Sequence, residues 1–332
     1  MKIPEPLRED RSFETVKMEY RLLGKSELSV SVIGLGTWAL GGKDWGPIDE
    51  GEAITAIQKA IDCGINLIDT APIYGNGYSE EIVGKAIKAC RHRVIIATKC
   101  GIHQRGNEIV NDLKPKAIRR ELENSLKRMG IEVIDLYQCH WPDPNTPIED
   151  TMGEMLKMKA EGKIRYIGVS NFDTFLLERA LKVAPIVSNQ VPYSLVNREI
   201  ERRLLPFCKE QGVGILAYGP LGGGILTGKY KEKPIFKRGD ARSFFYTYYE
   251  EPHWSRIQML LKDVEQISVR YSKPISQIAI NWIRQQPGIS TVLVGARNPK
   301  QAEANAAAGT WQLSAEDLAS IKKALNRTFS QE

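Results

Sequence analysis

The 332-residue chain has the composition of an ordinary globular protein, with 42% hydrophobic and 26% charged residues, which argues against a disordered chain. Its formal net charge is +6, with basic and acidic residues interspersed, so a general affinity for nucleic acid is not indicated. No run of about 18 apolar residues occurs, the first residues do not look like a targeting peptide, and the five cysteines form no Cys-x-x-Cys pair. We therefore expect a cytoplasmic protein with no membrane partner and no metal site.

The predicted elements begin with a small β-hairpin. Residues 20–31 alternate around Gly24 in a hairpin pattern, and eight short apolar segments that are typical of buried parallel strands follow. These segments are Val32–Gly36, Asn66–Thr70, Val94–Lys99, Val133–His140, Tyr166–Ser170, Ile186–Gln190, Gly214–Tyr218 and Thr291–Val294. Amphipathic stretches of helical length lie between them, including Glu50–Cys63, Glu80–Ala89, Pro115–Met129 and Thr151–Glu161.

The alternation of strands and helices predicts an α/β fold built from parallel βα units. Eight units without a flexible linker close most simply into one (β/α)₈ TIM barrel, because right-handed crossovers place every helix outside. An open doubly wound sheet is the alternative. A long loop after the seventh strand, Leu221–Trp254, and an extra C-terminal helix with a Ser-Ala-Glu-Asp cap, Ser314–Asn326, lie outside the repeat. We expect a single domain over residues 19–332, preceded by an N-terminal extension of residues 1–18.

Two glycine-rich motifs imitate nucleotide-binding fingerprints. The segment Gly34–Ala39 matches the Rossmann pattern, but further glycines and Pro47 follow, so no helix can begin before about Asp49 to receive a pyrophosphate. The segment Gly223–Tyr230 imitates a P-loop, yet Tyr230 stands where a serine or threonine would bind magnesium. Neither motif therefore predicts a Rossmann fold or a nucleotide hydrolase.

Four titratable residues lie at or near the ends of three consecutive predicted strands. Asp69, Lys99 and His140 end the second, third and fourth strands, and Tyr74 lies in the loop after Asp69. In a barrel these ends meet at one mouth. Lys99 is expected to lower the pKa of Tyr74, and Asp69 to keep Lys99 charged. With His140 hydrogen-bonding a carbonyl, the set predicts acid-assisted carbonyl reduction with hydride from a cofactor, although each residue alone also has a structural explanation.

Three segments around these residues resemble the signature segments of aldo-keto reductases. They are Asn66–Gly75, Ile96–Lys99 and Asp135–Trp141, and the similarity extends from about residue 20 to residue 326. The resemblance implies the barrel fold and an NADP-dependent oxidoreductase that binds NADPH before its substrate. It also implies that Tyr74 is the general acid, tuned by the two charged strand residues, and that the histidine orients the carbonyl.

The same resemblance implies a set of residues that bind NADPH. Those expected to hold or stack on the nicotinamide are Ser170, Asn171, Gln190 and Tyr218, and the set also includes Thr37, Trp38 and Asp69. Those expected along the pyrophosphate are Gly219, Pro220, Leu221, Gly224, Leu226 and Lys229, and those at the adenosine phosphate are Gly295, Arg297, Gln301 and Asn305. Arg297 would pair with the 2′-phosphate and favour NADPH over NADH. Many relatives have arginine where Gln301 stands and glutamate where Ala304 stands.

The expected substrate is a small aldehyde or ketone. Its contacts would be Trp38, Tyr74, His140 and Trp141, and a lid would come from the aromatic cluster Phe244, Phe245, Tyr246, Tyr248 and Tyr249. A different class of function is the alternative, namely a cofactor-sensing regulatory module that resembles the β subunits of potassium channels. A monomer and a homo-oligomer are both compatible with the sequence.

Overall fold

The structure of the protein is a computed structural model that describes residues 17–42, 44–106 and 108–329. Its strands are β1 (Tyr20–Leu22), β2 (Ser29–Ser31), β3 (Ile33–Gly36), β4 (Leu67–Asp69), β5 (Ile95–Cys100), β6 (Ile102–Arg105), β7 (Glu108–Asn111), β8 (Ile134–Cys139), β9 (Ile164–Ser170), β10 (Ile186–Pro192), β11 (Gly214–Tyr218) and β12 (Ile289–Gly295). Its α-helices are α1 (Glu50–Asp62), α2 (Tyr78–Ile87), α3 (Pro115–Met129), α4 (Ile148–Ala160), α5 (Thr174–Leu181), α6 (Leu204–Gln211), α7 (Ala241–Phe244), α8 (His253–Tyr271), α9 (Ile275–Arg284), α10 (Pro299–Ala307) and α11 (Ala315–Phe329).

Eight parallel strands form a closed barrel in the order β3-β4-β5-β8-β9-β10-β11-β12, and β12 pairs with β3. Each strand overlaps one of the eight predicted apolar segments, so the predicted (β/α)₈ barrel is confirmed and the open doubly wound sheet is wrong. The barrel strands are buried over most of their length, because the helices cover their outer faces and the inward-pointing side chains of the strands fill the interior.

Local signals in the sequence fix several helix ends. The carboxylate of Asp49 accepts a hydrogen bond from the backbone N–H of Glu52 at 2.7 Å and so caps α1. Helix α3 begins with Pro115 and ends at Gly130, whose φ of 63° lies in the left-handed region. The hydroxyl of Ser314 accepts from Asp317 N–H at 3.1 Å, which confirms the predicted cap of the C-terminal helix.

The β1–β2 hairpin closes the N-terminal end of the barrel. Its side chains Leu23, Leu28 and Val30 are buried in one cluster with inward-facing strand residues such as Leu67 and Leu136. A second, larger cluster packs the outer faces of the strands against the helices. Since the hairpin covers one end, the C-terminal ends of the strands form the accessible mouth.

Neither glycine-rich motif leads directly into an α-helix, as predicted. A 3₁₀ turn, Trp38–Leu40, follows β3, and the next α-helix begins at Glu50, so no helix N-terminus follows Gly34–Ala39 directly. The segment Gly223–Tyr230 lies in a second 3₁₀ turn and the coil after it, and the next α-helix begins at Ala241.

Three features differ from the prediction. The antiparallel hairpin β6–β7, which follows β5 at the mouth, was not predicted. The long loop also contains the short helix α7 and two 3₁₀ turns. Residues 1–16 of the predicted extension lie outside the described residues, but Met18, also assigned to it, is only 8% exposed and packs in the core. In the part of the chain that the structure describes, no helix is long and apolar enough to cross a membrane.

Candidate active site

The barrel brings the four predicted catalytic residues together at its mouth. Asp69 is the last residue of β4, Lys99 lies in β5, and His140 directly follows β8. The ammonium group of Lys99 donates to Asp69 Oδ2 at 2.6 Å and to the hydroxyl of Tyr74 at 3.3 Å. The rings of Tyr74 and His140 meet edge to face, with their centroids 5.8 Å apart. One cation therefore links a carboxylate to a phenol beside an imidazole.

Lys99 and Asp69 form a buried ion pair. Lys99 has no exposed surface and Asp69 is 2% exposed. Burial is the largest single influence and lowers the pKa of Lys99, but Asp69 and Tyr74 together outweigh it, so the pKa lies above its ordinary value. Lys99 also donates to the carbonyl of Thr70 at 3.1 Å, which helps to satisfy its three N–H groups. The ammonium group is therefore charged at neutral pH, as predicted.

The pKa of Tyr74 differs from the prediction. Burial raises the pKa of the phenol, Lys99 lowers it and Asp69 raises it, and the net pKa lies above the ordinary value. Lys99 therefore lowers the pKa of Tyr74, as expected, but it does not make the phenol more acidic than a free tyrosine, because the desolvation of a phenolate outweighs one nearby cation. A high pKa keeps the proton on Tyr74 at neutral pH, and Lys99 stabilises the phenolate when the proton leaves.

His140 is held as a neutral imidazole. Its side chain is buried, and both this burial and the charge of Lys99 lower its pKa well below the ordinary value. Its backbone N–H donates to Cys100 at 2.9 Å, and its carbonyl accepts from the amide of Asn171 at 3.1 Å. These contacts fix the main chain on both sides of the ring, and a neutral ring N–H can donate a hydrogen bond to a carbonyl oxygen.

The residues expected at the nicotinamide form one hydrogen-bonded network. The amide of Asn171 donates to Ser170 Oγ at 3.0 Å and its oxygen accepts from Tyr218 at 3.0 Å. Ser170 in turn donates to the carbonyl of Gln190 at 2.9 Å. The side-chain amide of Gln190 donates to Asp69 Oδ1 at 2.8 Å. The network therefore joins the expected cofactor residues to the carboxylate of Asp69.

The glycines in the segment after β11 allow other groups to approach the backbone closely. Gly219, Gly223 and Gly224 have φ values of 67°, 68° and 104°, which favour glycine. A Cβ atom at Gly223 would lie 2.7 Å from the ring of Tyr246. Of the predicted pyrophosphate residues, Gly219, Leu221 and Gly224 are partly exposed and Lys229 is exposed, whereas Pro220 and Leu226 are buried.

The residues expected at the adenosine phosphate lie between β12 and α10. Arg297 donates to the carbonyls of Trp45, at 2.8 Å, and Pro47 in the loop before α1. Its backbone N–H donates to the side chain of Gln301 at 2.9 Å, and the amide of Asn305 donates to the carbonyl of Gly295 at 3.0 Å. The guanidinium of Arg297 therefore already has partners, which a phosphate group would have to replace.

The predicted substrate residues lie at different depths. The ring of Trp38 stacks on Tyr74 at 6.3 Å and meets Phe245 of the predicted lid at 5.2 Å. Trp141 is 39% exposed. Thr37, in contrast, has no exposed surface, and its hydroxyl donates to the Asp69 carbonyl at 3.0 Å.

Sequence reasoning missed two contributors to the site. Gln138 on β8 donates to Asp69 Oδ1 at 3.1 Å. Its position has a sequence signal, because alternation along β8 points residue 138 to the same side as Leu136, into the barrel, where an amide needs a partner. Asp44 accepts from the indole of Trp38 at 3.1 Å, and it lies in a glycine-rich loop with no periodic pattern that would have predicted this contact.

Comparison with known proteins identifies the family of this chain. The sequence profile of the Aldo/keto reductase family matches residues 32–326. Aldo-keto reductase YhdN of Bacillus subtilis (strain 168) is 42% identical over 316 residues, which cover 94% of this chain and 95% of that protein. The NADH-specific methylglyoxal reductase of Escherichia coli (strain K12) is 36% identical, with 91% of this chain and 96% of that protein covered.

A solved structure extends the similarity to the whole fold. The glycerol dehydrogenase of Gluconobacter oxydans superposes with a TM-score of 0.87 at 35% identity, and the match covers 96% of this chain and 98% of that chain. The family profile includes all four residues that meet at the mouth and every barrel strand. The chain therefore belongs to the aldo/keto reductase family and is an oxidoreductase.

Proposed function

We propose that this protein reduces an aldehyde or ketone to the alcohol, with NADPH as the hydride donor. The contact of Lys99 with both Asp69 and Tyr74, beside the ring of His140, carries the proposal. A proton donor, a charge that stabilises its conjugate base, and a hydrogen-bond donor for the carbonyl are the groups that acid-assisted reduction requires.

Each residue has a separate role in this proposal. Tyr74 holds the proton and delivers it to the carbonyl oxygen as the alcohol forms. Lys99 stabilises the phenolate that remains, and Asp69 keeps Lys99 charged. The neutral ring of His140 orients the carbonyl oxygen and polarises it. Trp38 and Trp141 are proposed to flank the apolar part of the substrate.

The residues present fit a dinucleotide cofactor. The nicotinamide supplies the hydride. Ser170, Asn171 and Gln190 present amide and hydroxyl groups that can pair with a carboxamide. Gly223 and Gly224 leave backbone open where a side chain would collide or strain, which suits the close approach of a diphosphate. The buried Nε of Arg297 has no hydrogen-bond partner among the described residues, so the guanidinium retains a donor for an anion.

The test is the oxidation of NADPH by purified protein with a panel of aldehydes and ketones. The rate of reduction should stay nearly constant between about pH 6 and about pH 9. The raised pKa of Tyr74 keeps the acid protonated over this range, and the lowered pKa of His140 keeps the imidazole neutral. Alcohol oxidation needs the phenolate, so its rate should rise with pH over the same range. No turnover with any carbonyl would contradict the proposal, and very tight cofactor binding with slow turnover would favour the regulatory alternative.

Cofactor preference is a separate prediction, since one relative is an NADH-specific enzyme. Arg297→Met should raise the Kd of NADPH about tenfold, because it removes a charge-assisted contact to the 2′-phosphate. The Kd of NADH should stay within about twofold. Gln301→Arg adds a second cation at the start of α10 and should lower the Kd of NADPH. Both constants can be measured by quenching of tryptophan fluorescence.

An equal loss of affinity for both cofactors in the Arg297 variant would contradict this role. Arg297 also holds the carbonyls of Trp45 and Pro47, and release of that loop would affect NADH as much as NADPH. The comparison of the two cofactors therefore separates recognition of the phosphate from support of the loop.

A further inference from the structure

Asp69 receives more hydrogen bonds than its pairing with Lys99 requires. Lys99 donates to Oδ2 at 2.6 Å, while the amides of Gln138 and Gln190 donate to Oδ1 at 3.1 Å and 2.8 Å. A carboxylate can only accept, so each glutamine must turn its amino group towards Asp69. Because every atom of this arrangement is buried, each donor strongly affects the charge that its neighbours experience.

Gln138 is enclosed by the barrel. It has no exposed surface, and it lies opposite Lys99 on β5 and Gly168 on β9. A Cβ atom at Gly168 would come within 3.0 Å of Gln138 Cγ and 2.5 Å of Ser188 Oγ. A side chain at Gly168 would therefore occupy space that the Gln138 side chain needs to reach Asp69.

The two glutamines differ in what else they can contact. The backbone carbonyl of Gln190 accepts from Ser170 Oγ and from the backbone N–H of Asn171, which places Gln190 beside the residues proposed to hold the carboxamide. Under the proposed function its side-chain amide serves both Asp69 and the cofactor. The amide nitrogen of Gln138 donates to Asp69, and its amide oxygen accepts from the amide nitrogen of Gln190 at 3.5 Å. Gln138 therefore supports Asp69 directly and is one residue further than Gln190 from the proposed cofactor.

The effect of this donor on Tyr74 has a definite sign. The charge of Asp69 raises the pKa of Tyr74, whereas Lys99 lowers it. An N–H group on Oδ1 places the positive end of its dipole against the carboxylate and offsets part of that negative charge. More of the effect of Lys99 then reaches the phenol, and proton release becomes easier.

We propose that Gln138 is a positioning residue for the proton-transfer step, which aims the Asp69 carboxylate at Lys99 and offsets its charge while Gln190 serves the cofactor. The inference rests on the proposed function. Gln138 touches neither substrate nor cofactor and acts only through Asp69.

The test uses Gln138→Met, which keeps the length of the side chain and removes the donor. The kcat for NADPH-dependent reduction should fall about tenfold, while the Kd of NADPH stays within about twofold. The pH profile of alcohol oxidation, which reports the phenolate, should move to higher pH by about half a unit. The kinetic isotope effect with deuterated NADPH should not fall, because the chemical step becomes slower.

Gln190→Met is the matched control, because it removes the other donor and the proposed carboxamide contact together, so it should raise the Kd of NADPH. If Gln138→Met does not fold, Gln138→Asn takes the amide out of reach of Asp69 while the site stays polar, and the same measurements apply. An unmoved pH profile, or a loss confined to cofactor affinity, would overturn the inference while the proposed function stands. A wild type that reduces no carbonyl overturns both.

Discussion

Tyr74→Phe is expected to lower the kcat for carbonyl reduction by about 10³-fold, within the range that general acids contribute. The substitution removes only the hydroxyl that accepts from Lys99 at 3.3 Å. The ring should keep its stacking on Trp38, so the fold and the cofactor site should be retained. Steady-state kinetics and the Kd of NADPH, which should stay within about twofold, measure the two consequences separately.

Tyr78→Phe provides the matched control for this prediction. Tyr78 begins α2 close to Tyr74 in sequence, but its hydroxyl donates to Glu50 at 3.2 Å, in α1 and away from the ion pair. Its kcat should match the wild type. A Tyr74 variant that retains most of its turnover, or one that fails only because NADPH no longer binds, would refute the role of Tyr74 as the acid.

Lys99→Met should reduce both activity and stability. It leaves the buried Asp69 carboxylate without its cation, and breaking a buried ion pair in this way costs about 3–5 kcal/mol of unfolding free energy. The phenolate of Tyr74 would also lose its stabilising charge, so kcat should fall by at least about 10²-fold. Urea unfolding measures the stability, and NADPH oxidation measures the turnover.

The double variant Lys99→Met/Asp69→Asn separates these two effects. It removes both charges, so much of the lost stability should return, while activity should not. Full stability in the single Lys99 variant would mean that the ion pair is not desolvated in solution. Recovery of turnover in the double variant would mean that the charge of Lys99 does not serve the proton transfer.

The strands and the meeting of the four proposed catalytic residues could be predicted because both follow from local patterns. Apolar runs of strand length fixed the barrel, and a strand that ends in Asp69 or Lys99 must present it at the mouth. The hairpin β6–β7 also carried a signal, since Gly106-Asn107 separates two strand-like segments in a manner typical of a tight turn. The two segments lack the apolar runs of the barrel strands, because β7 is largely exposed, so the buried-strand pattern does not detect them.

Contacts between distant elements could not be predicted in the same way. The direction of the pKa shift of Tyr74 depends on how much water the folded mouth excludes, which no spacing of residues reports. Arg297 contacts the carbonyls of a loop that lies about 250 positions earlier in the chain. The two glutamines that donate to Asp69 lie on separate strands, β8 and β10. They come within reach of Asp69 only when the barrel closes.

The hairpin formed by β1 and β2 has a consequence for the sequence of events in turnover. The side chains of Leu23, Leu28 and Val30 close the N-terminal end of the barrel. Ligands must therefore reach Tyr74, and leave it, through the mouth at the C-terminal ends of the strands. Under the proposed function, a dinucleotide that bound deeper than the carbonyl compound would have to bind first. We would then expect the alcohol to leave before the oxidised dinucleotide, because both ligands would share one opening.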